Sequence, residues 1–261
     1  MRIATWNING VRARLEPLLA WLNAAKPDVV CLQEIKTVDE GFPAAEIEAL
    51  GYTVAVHGQK GFNGVAILSR LPLEDVSRGL PGNPEDLQAR YIEAVVTGAA
   101  GIVRVGGLYL PNGNPIGTEK FSYKLAWLER LEAHARDLLA LEEPLVLCGD
   151  YNIIPEPQDA RTPAAWVDDA LFQPQSRRAW RQLLALGMTD AVRAVSPGPG
   201  HYTFWDYQAG AWQKDNGIRI DHLLLSPAAA DRLVTAGIDR TPRGWEKPSD
   251  HTPAYVELRA A

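Results

Sequence analysis

Pro144-Leu145-Val146-Leu147-Cys148-Gly149-Asp150-Tyr151-Asn152 is the stretch whose reading decides the fold. Its four apolar residues read as a short buried strand. The glycine lets the backbone turn, and a carboxylate and a carboxamide follow, two apart, at the strand's carboxyl end. In layered α/β proteins such strand ends carry active-site groups. Alone, the same pattern reads equally well as an Asp and an Asn making an ordinary turn. The decision rests on what the rest of the chain brings to them.

Working outward, strand-like runs recur at Arg2–Asn7, Asp28–Gln33, Tyr52–His57, Val65–Ser69, Tyr91–Val96, Val103–Leu110, Leu145–Cys148, Tyr202–Tyr207, Ile218–Leu225 and Ala254–Leu258. Helical periodicity spans Val11–Ala25, Thr118–Leu141 and Ser176–Leu186. The second is clearest: Phe121, Leu125, Leu128, Leu131 and Leu138 share a face, and Thr118 is placed to cap it. Hairpin-spaced strands mixed with crossover helices predict an α/β protein with two sheets and helices packed outside, not one parallel sheet. There is no low-complexity tract, repeat or polar linker, so residues 1–261 read as a single domain. Pro/Gly-rich pieces at Leu71–Asp86, Pro111–Gly117, Ser196–Gly200 and Thr241–Ser249 read as surface loops.

With 261 residues, 46% of them hydrophobic, the chain is long enough for a large core. Its start, Met1-Arg2-Ile3-Ala4-Thr5-Trp6-Asn7, enters a strand at once without a signal-peptide pattern, and no segment reads as a membrane span. Cys31 and Cys148 sit inside apolar runs without metal-ligand spacing and read as reduced core residues. A cytoplasmic protein is expected. The net charge of −6 argues against a general nucleic-acid coat protein but not against a nuclease. A cation-holding site needs carboxylates, and a local basic rim still meets phosphates.

Other strands also stop at polar groups. The first ends Trp6-Asn7-Ile8-Asn9-Gly10 and the second Gln33-Glu34-Ile35-Lys36. A carboxylate supported by carboxamides suits a hard, oxygen-seeking cation such as magnesium, although Glu34 alone also fits a solvated strand end. Tyr109, before Leu110-Pro111-Asn112-Gly113-Asn114-Pro115, is either a core aromatic or a phosphate contact. Asp221 interrupts an apolar run, where a charge is costly unless paired or coordinated. Ser249-Asp250-His251 sets an acid beside an imidazole before the last strand. The remaining histidines, His57, His134, His201 and His222, read as structural or surface residues.

Taken in order, Trp6-Asn7-x-Asn9-Gly10, Leu32-Gln33-Glu34-x-Lys36, Gly58-Gln59-Lys60-Gly61, Tyr109-x-Pro111-Asn112, Gly149-Asp150-x-Asn152, Arg219-Ile220-Asp221 and Ser249-Asp250-His251 resemble the exodeoxyribonuclease III family. This is the bacterial branch of the AP endonucleases, in the endonuclease/exonuclease/phosphatase superfamily. The resemblance runs over essentially the whole chain. It implies a four-layer α/β sandwich, two mixed β-sheets face to face flanked by helices. It also implies an Mg²⁺- or Mn²⁺-dependent phosphodiesterase acting as a monomer on double-stranded DNA. The implied activities are incision 5′ to abasic sites, 3′→5′ exonuclease digestion and removal of 3′-blocking groups.

By the same resemblance, Glu34 is the principal metal ligand, with Asn7 and Asp250 in the metal set. Asp150 positions or deprotonates the attacking water, and Asn152 holds Asp150 and the scissile phosphate. Asp221 and Asn9 organise the site, and Lys36 supports it. His251, held by Asp250, contacts a phosphate oxygen, and Tyr109 contacts the phosphate or aids the leaving group. Phe204, Ile218 and Ile220, with Trp205 beside them, match a pocket for a flipped abasic sugar. The loop with Asn112 and Asn114 matches one that presses into the groove, here without an arginine. Lys60, Arg177, Arg178, Arg181, Lys214 and Arg243 are candidate phosphate contacts. Two other readings compete: a superfamily phosphodiesterase acting on a phospholipid, inositol phosphate or RNA, and an inactive DNA-binding module.

Overall fold

The apolar runs become strands in the computed structural model, which describes residues 1–98 and 101–260. In chain order they are β1 (Arg2–Asn7), β2 (Val29–Gln33), β3 (Thr53–His57), β4 (Val65–Ser69), β5 (Leu73–Arg78), β6 (Tyr91–Gly98), β7 (Gly101–Tyr109), β8 (Leu145–Asp150), β9 (Thr189–Asp190), β10 (Asp221–Leu225), β11 (Leu233–Ile238) and β12 (Ala254–Leu258). The helices are α1 (Leu15–Ala25), α2 (Ala44–Glu48), α3 (Glu119–Leu139), α4 (Pro174–Ala185), α5 (Ala191–Val195) and α6 (Pro227–Ala230).

The strands form two six-stranded sheets, ordered β11-β12-β1-β2-β4-β3 and β5-β6-β7-β8-β10-β9. Each sheet holds one parallel pair, β1/β2 and β7/β8, while their other pairings are antiparallel. A parallel pair needs a crossover, and α1 and α3 supply it. The sheets face each other across a core that includes Ile3, Val29, Ile67, Ile92, Val105, Val146, Leu223 and Val256. On the outside of the first sheet, Leu18, Trp21 and Leu22 of α1 cover Trp6, Val30 and Leu32. On the outside of the second, Trp127, Leu128 and Leu131 of α3 and Trp180 of α4 cover Tyr91, Leu108 and Leu147. Each such buried side chain contributes roughly 1.5–3 kcal/mol. The result is the four-layer α/β sandwich, two mixed sheets flanked by helices.

Strand direction then gathers the polar ends. β1 and β2 finish with Asn7 opposite Gln33, and β7 and β8 finish with Tyr109 opposite Asp150. β10 runs against β8, so its first residue, Asp221, lies opposite Asp150 as well.

Four local readings are corrected here. Gly149 is no turn: it lies within β8, and a Cβ there would stand 1.9 Å from the Leu108 carbonyl oxygen. It is glycine because β7 passes too close for a side chain. Tyr202–Tyr207 is not a strand; only Phe204 makes isolated bridges, to Ile218 and His251. The Leu71–Asp86 loop contains edge strand β5, whose mostly exposed residues give no clean alternation. Thr118 does precede α3, but its hydroxyl donates to the Pro115 carbonyl and does not cap the helix.

Candidate active site

Asn7, Asp150, Asp221 and His251 meet where the two sheets abut, and all four are buried. The Asn7 amino group donates to Glu34 Oε1 (2.8 Å) and to Asp150 Oδ2 (2.9 Å), joining one sheet to the other. Its orientation is set by the backbone, because Asn7 Oδ1 accepts from the Asn9 amide at 3.0 Å. The sequence places Asn7 among the metal ligands. Here its amino group faces the two carboxylates and braces them across the sheets.

Glu34 follows β2 with a left-handed backbone (φ 49°), as do Lys36 (56°), Asn9 (48°) and Asn152 (47°). Non-glycine residues in this region are strained, and such strain concentrates at functional sites. Burial opposes ionisation of Glu34, but the Asn7 hydrogen bond and the Lys36 ammonium, 2.9 Å away, outweigh it. Its carboxyl therefore lies below the usual range. Lys36 also donates to Asn9 Oδ1, and Asn9 Nδ2 donates to Asp250 Oδ1 at 3.1 Å.

His251 Nδ1 donates to Asp221 Oδ2 at 2.8 Å, and its Nε2 lies 3.7 Å from Asp150 Oδ2. The sequence reading that Asp250 holds His251 is corrected. Asp250 turns to Asn9, and Asp221, seated at the start of β10, takes the imidazole. Burial works against charge on His251, yet Asp221 and Asp150 raise it to about 10, so the ring is a cation at neutral pH. Burial lifts Asp150 to about 7, with His251 opposing and Asp221 reinforcing the rise. Asp221 Oδ1 is buried without a hydrogen-bond partner. Thr203 Oγ1 holds the start of β10 by accepting from the Ile220 and Asp221 amides, each at 3.1 Å.

Asn152 donates its amide N–H to Asp150 Oδ1 (2.9 Å) and its side-chain amide to the Leu110 carbonyl (2.8 Å). Half-buried Tyr109 ends β7 beside them. Burial, then the charges of Glu34 and Asp150, hold its phenol well above the ordinary value, so it is a donor and not a phenolate. Arg90 stacks on its ring, 4.9 Å from the centroid.

On one side of this cluster lies a cleft of about 430 Å³ lined by Trp166, Asp169, Phe204, Asn216 and Ile218. The Phe204 ring stands 5.1 Å from that of His251. Of the residues assigned to a sugar pocket, only Phe204 is partly exposed. Ile218 and Ile220 are core residues, with Ile218 reaching the cleft wall. Trp205 is fully enclosed by Tyr202 and Trp212, so it cannot offer a face to a ligand. On the other side, a 740 Å³ cleft runs past Phe62, Arg90, Asn112 and Tyr123. Asn112 is exposed and donates to Asn152 Oδ1 at 3.3 Å. The amide of Asn114 is engaged with Asp169 and Ala170, anchoring its loop. Arg243 is buried and bonded to the Trp205 carbonyl, which removes it from the candidate phosphate contacts.

Sequence reasoning missed Trp166, Arg14 and Tyr207. Arg14 and Asn9 both donate to the Tyr207 hydroxyl, which donates to the Pro248 carbonyl. No motif marks them; they are brought in by tertiary packing alone. Asp150, Asp221 and His251 place ligand-type atoms within 4.8 Å of one another. Because His251 is cationic and bonded to Asp221, we read this trio as an ion-paired network.

A family model described as the endonuclease/exonuclease/phosphatase family matches residues 4–251. The chain belongs to this family. It is 35% identical to exodeoxyribonuclease III of Haemophilus influenzae over 99% of this chain and all of that protein. The sandwich superposes on the 3′ phosphatase NExo from Neisseria bound to a product DNA hairpin, with a TM-score of 0.95 and 40% identity over 99% of both chains. It also superposes on an AP endonuclease from Archaeoglobus fulgidus, with a TM-score of 0.93 and 40% identity over 99% of both chains. The endonuclease/exonuclease/phosphatase fold thus supplies the frame, and this member fills the convergent strand ends with acids, amides and one imidazolium. No helix among the described residues is long and apolar enough to cross a membrane.

Proposed function

We propose that residues 1–261 form one catalytic domain, a divalent-metal-dependent DNA repair nuclease acting as a monomer. It hydrolyses phosphodiester bonds of double-stranded DNA, incising 5′ to abasic sites and trimming or cleaning 3′ ends. The observation that carries this reading is the bridge from Glu34 through Asn7 to Asp150, with cationic His251 beside it. The names of the similar proteins, an exodeoxyribonuclease, a 3′ phosphatase and an AP endonuclease, support the same class.

The residues fit a hard cation. Glu34, Asp150, Asp221 and Asp250 outnumber Lys36 and His251, and one Asp221 oxygen has no partner. The donors are oxygens, which suits Mg²⁺ or Mn²⁺. Glu34 is the principal ligand, with Asp250 beside it. When bound, the ion supplies positive charge to the non-bridging phosphate oxygens.

The remaining work falls to the chain. Asp150, raised to about 7 and aimed by Asn7 and Asn152, is suited to hold or take the proton of an attacking water. His251 gives a charged hydrogen bond to a phosphate oxygen, with Asp221 keeping it protonated. Tyr109, protonated and stacked on Arg90, donates to the phosphate or to the leaving oxygen. Lys36 and Asn9 hold Glu34 and Asp250 in register. Phe204 offers an apolar face in the adjoining cleft to a sugar that lacks its base. Asn112 faces the duplex, while Asn114 shapes its loop. Purified protein with Mg²⁺ should nick a duplex carrying one abasic analogue on its 5′ side and digest a recessed 3′ end, both abolished by EDTA. Absence of both products at high enzyme would overturn the proposal.

A further inference from the structure

The buried stripe of α3 contains a lysine. Lys124, Trp127, Leu128 and Leu131 lie at helical spacing on the core side, and Lys124 is 0% exposed. Its ammonium donates to two backbone carbonyls, those of Asn112 (3.0 Å) and Asn152. Burying an ammonium against carbonyls alone is costly. A methionine or leucine would complete the stripe but leave both carbonyls without a donor, so the ammonium serves the two turns and not the stripe.

What the ammonium touches does. Asn112 begins the loop after β7, and Asn152 follows the end of β8. Asn152 is held in a left-handed conformation, and its amide N–H aims Asp150 through Oδ1. The loop is also shaped around the lysine: a Cβ on Gly113, where φ is +87°, would meet Lys124 Cδ at 2.6 Å. Burial pushes the ammonium down to about 7, while Asp150 and Asp169 hold it up, so its charge is coupled to the carboxylate it helps to aim.

We propose that Lys124 is a positioning residue, whose ammonium clamps the Asn112 loop to the Asn152 turn and thereby fixes Asn152 and Asp150 in their working geometry. This rests on the nuclease reading above. It deepens that reading with a residue that touches neither substrate nor metal and acts only through the two asparagine backbones.

The test compares wild type, Lys124→Met and Gly113→Ala on an abasic duplex with Mg²⁺, well below each protein's melting temperature. Lys124→Met should lower kcat by about 100-fold, the usual cost of misplacing a reacting group by about 1 Å. Its KM should stay within about threefold, since Asn112, the one duplex-facing residue of the clamped loop, keeps its own side-chain bond to Asn152. Gly113→Ala crowds the lysine stem without removing the charge and should lower kcat by about tenfold with the same unchanged KM. A purely structural lysine would lower the melting temperature of Lys124→Met and leave both kcat values within about twofold of wild type, which would overturn the proposal. If Lys124→Met does not fold, Gly113→Ala decides alone by the same criterion. Cleavage by wild type with wild-type kcat in both variants rejects only the clamp. No cleavage by wild type rejects the nuclease reading, and the clamp with it.

Discussion

Replacing Asp221 by Asn tests whether the charge on His251 comes from its buried partner. The Nδ1–Oδ2 distance is 2.8 Å, and neither residue is open to solvent that would screen the pair. With the charge centres about 4 Å apart and an effective dielectric of about 20, the pair is worth about 4 kcal/mol, or roughly three pKa units. His251 now sits at about 10; without the Asp221 charge it should fall to roughly 7. Asp221 also helps to hold Asp150 at about 7, so that carboxyl should fall too. In wild type, a reaction needing ionised Asp150 and cationic His251 gains rate as pH rises through the first value and loses it through the second. In Asp221→Asn both limbs should move to lower pH. At about pH 9 the imidazolium fraction drops to about one part in a hundred, so kcat/KM should fall by about 100-fold, against less than about tenfold near pH 6.5. The assay is the initial rate of abasic-duplex incision from about pH 5.5 to about pH 10 at one fixed Mg²⁺ concentration, so that the displacement between the two proteins is the readout. An alkaline limb within about half a unit of wild type, in a variant with the wild-type circular dichroism spectrum, would refute the reasoning.

Asp150→Asn should abolish turnover by about 1000-fold or more while leaving the Kd for duplex DNA, read by fluorescence anisotropy, within about threefold, because phosphate contacts elsewhere carry binding. A near wild-type rate would show that Asp150 is not the water-positioning group. The same variant should melt at a higher temperature. The Asp150 pKa is raised on folding, so its contribution to stability is fully present only below the unfolded value near 4 and is lost as pH rises through about 7. The gain in Tm should therefore be larger at about pH 8 than at about pH 4.5, and an equal gain at both would contradict the assigned shift. Glu34→Ala should raise the Mg²⁺ concentration for half-maximal rate by about 10- to 100-fold; an unchanged titration would remove Glu34 from the metal site.

Much of the fold is legible in the chain because its strands carry continuous apolar runs buried on both faces. β1 and β4 lie where those runs lie, and β12 lies where buried and half-buried residues alternate. The edge elements do not announce themselves. β5 is mostly exposed and carries a register shift, β9 is two residues long, and β11 also shifts register. Site residues at strand ends are legible because a polar group closing an apolar run is a one-dimensional signal. Their partners are not. That Asp221 and not adjacent Asp250 takes His251 follows from the antiparallel seat of β10 beside β8, a long-range pairing no local pattern shows. Lys124 was visible in principle, since a lysine three and four residues before Trp127 and Leu128 falls on the apolar stripe. The stripe drawn through Phe121 and Leu125 passes it by, because those two are only half-buried and the true core face is rotated toward Lys124 and Trp127.

The bridge that defines the site crosses between the sheets, so the thickness of the sandwich sets its length. Asn7 on β1 reaches Asp150 on β8 at 2.9 Å, and about 0.6 Å more would end that hydrogen bond. Near this bridge the inner faces carry small residues. Gly107 of β7 sits opposite Cys31 of β2, and a Cβ on the glycine would meet Cys31 Cβ at 3.0 Å and Sγ at 3.1 Å. Those distances are shorter than the contact optimum of about 3.5–4.0 Å, so even one methyl group would wedge the sheets or tilt β7. Gly107 pairs in register with Cys148, two residues before Asp150, so the displacement would act directly on the carboxylate. The two cysteines are free, and contact with Cys148 together with burial pushes the Cys31 thiol up, leaving it a neutral filler of limited size. The apolar filling between the sheets, with no polar function of its own, therefore holds Glu34 and Asp150 at the separation that Asn7 can span.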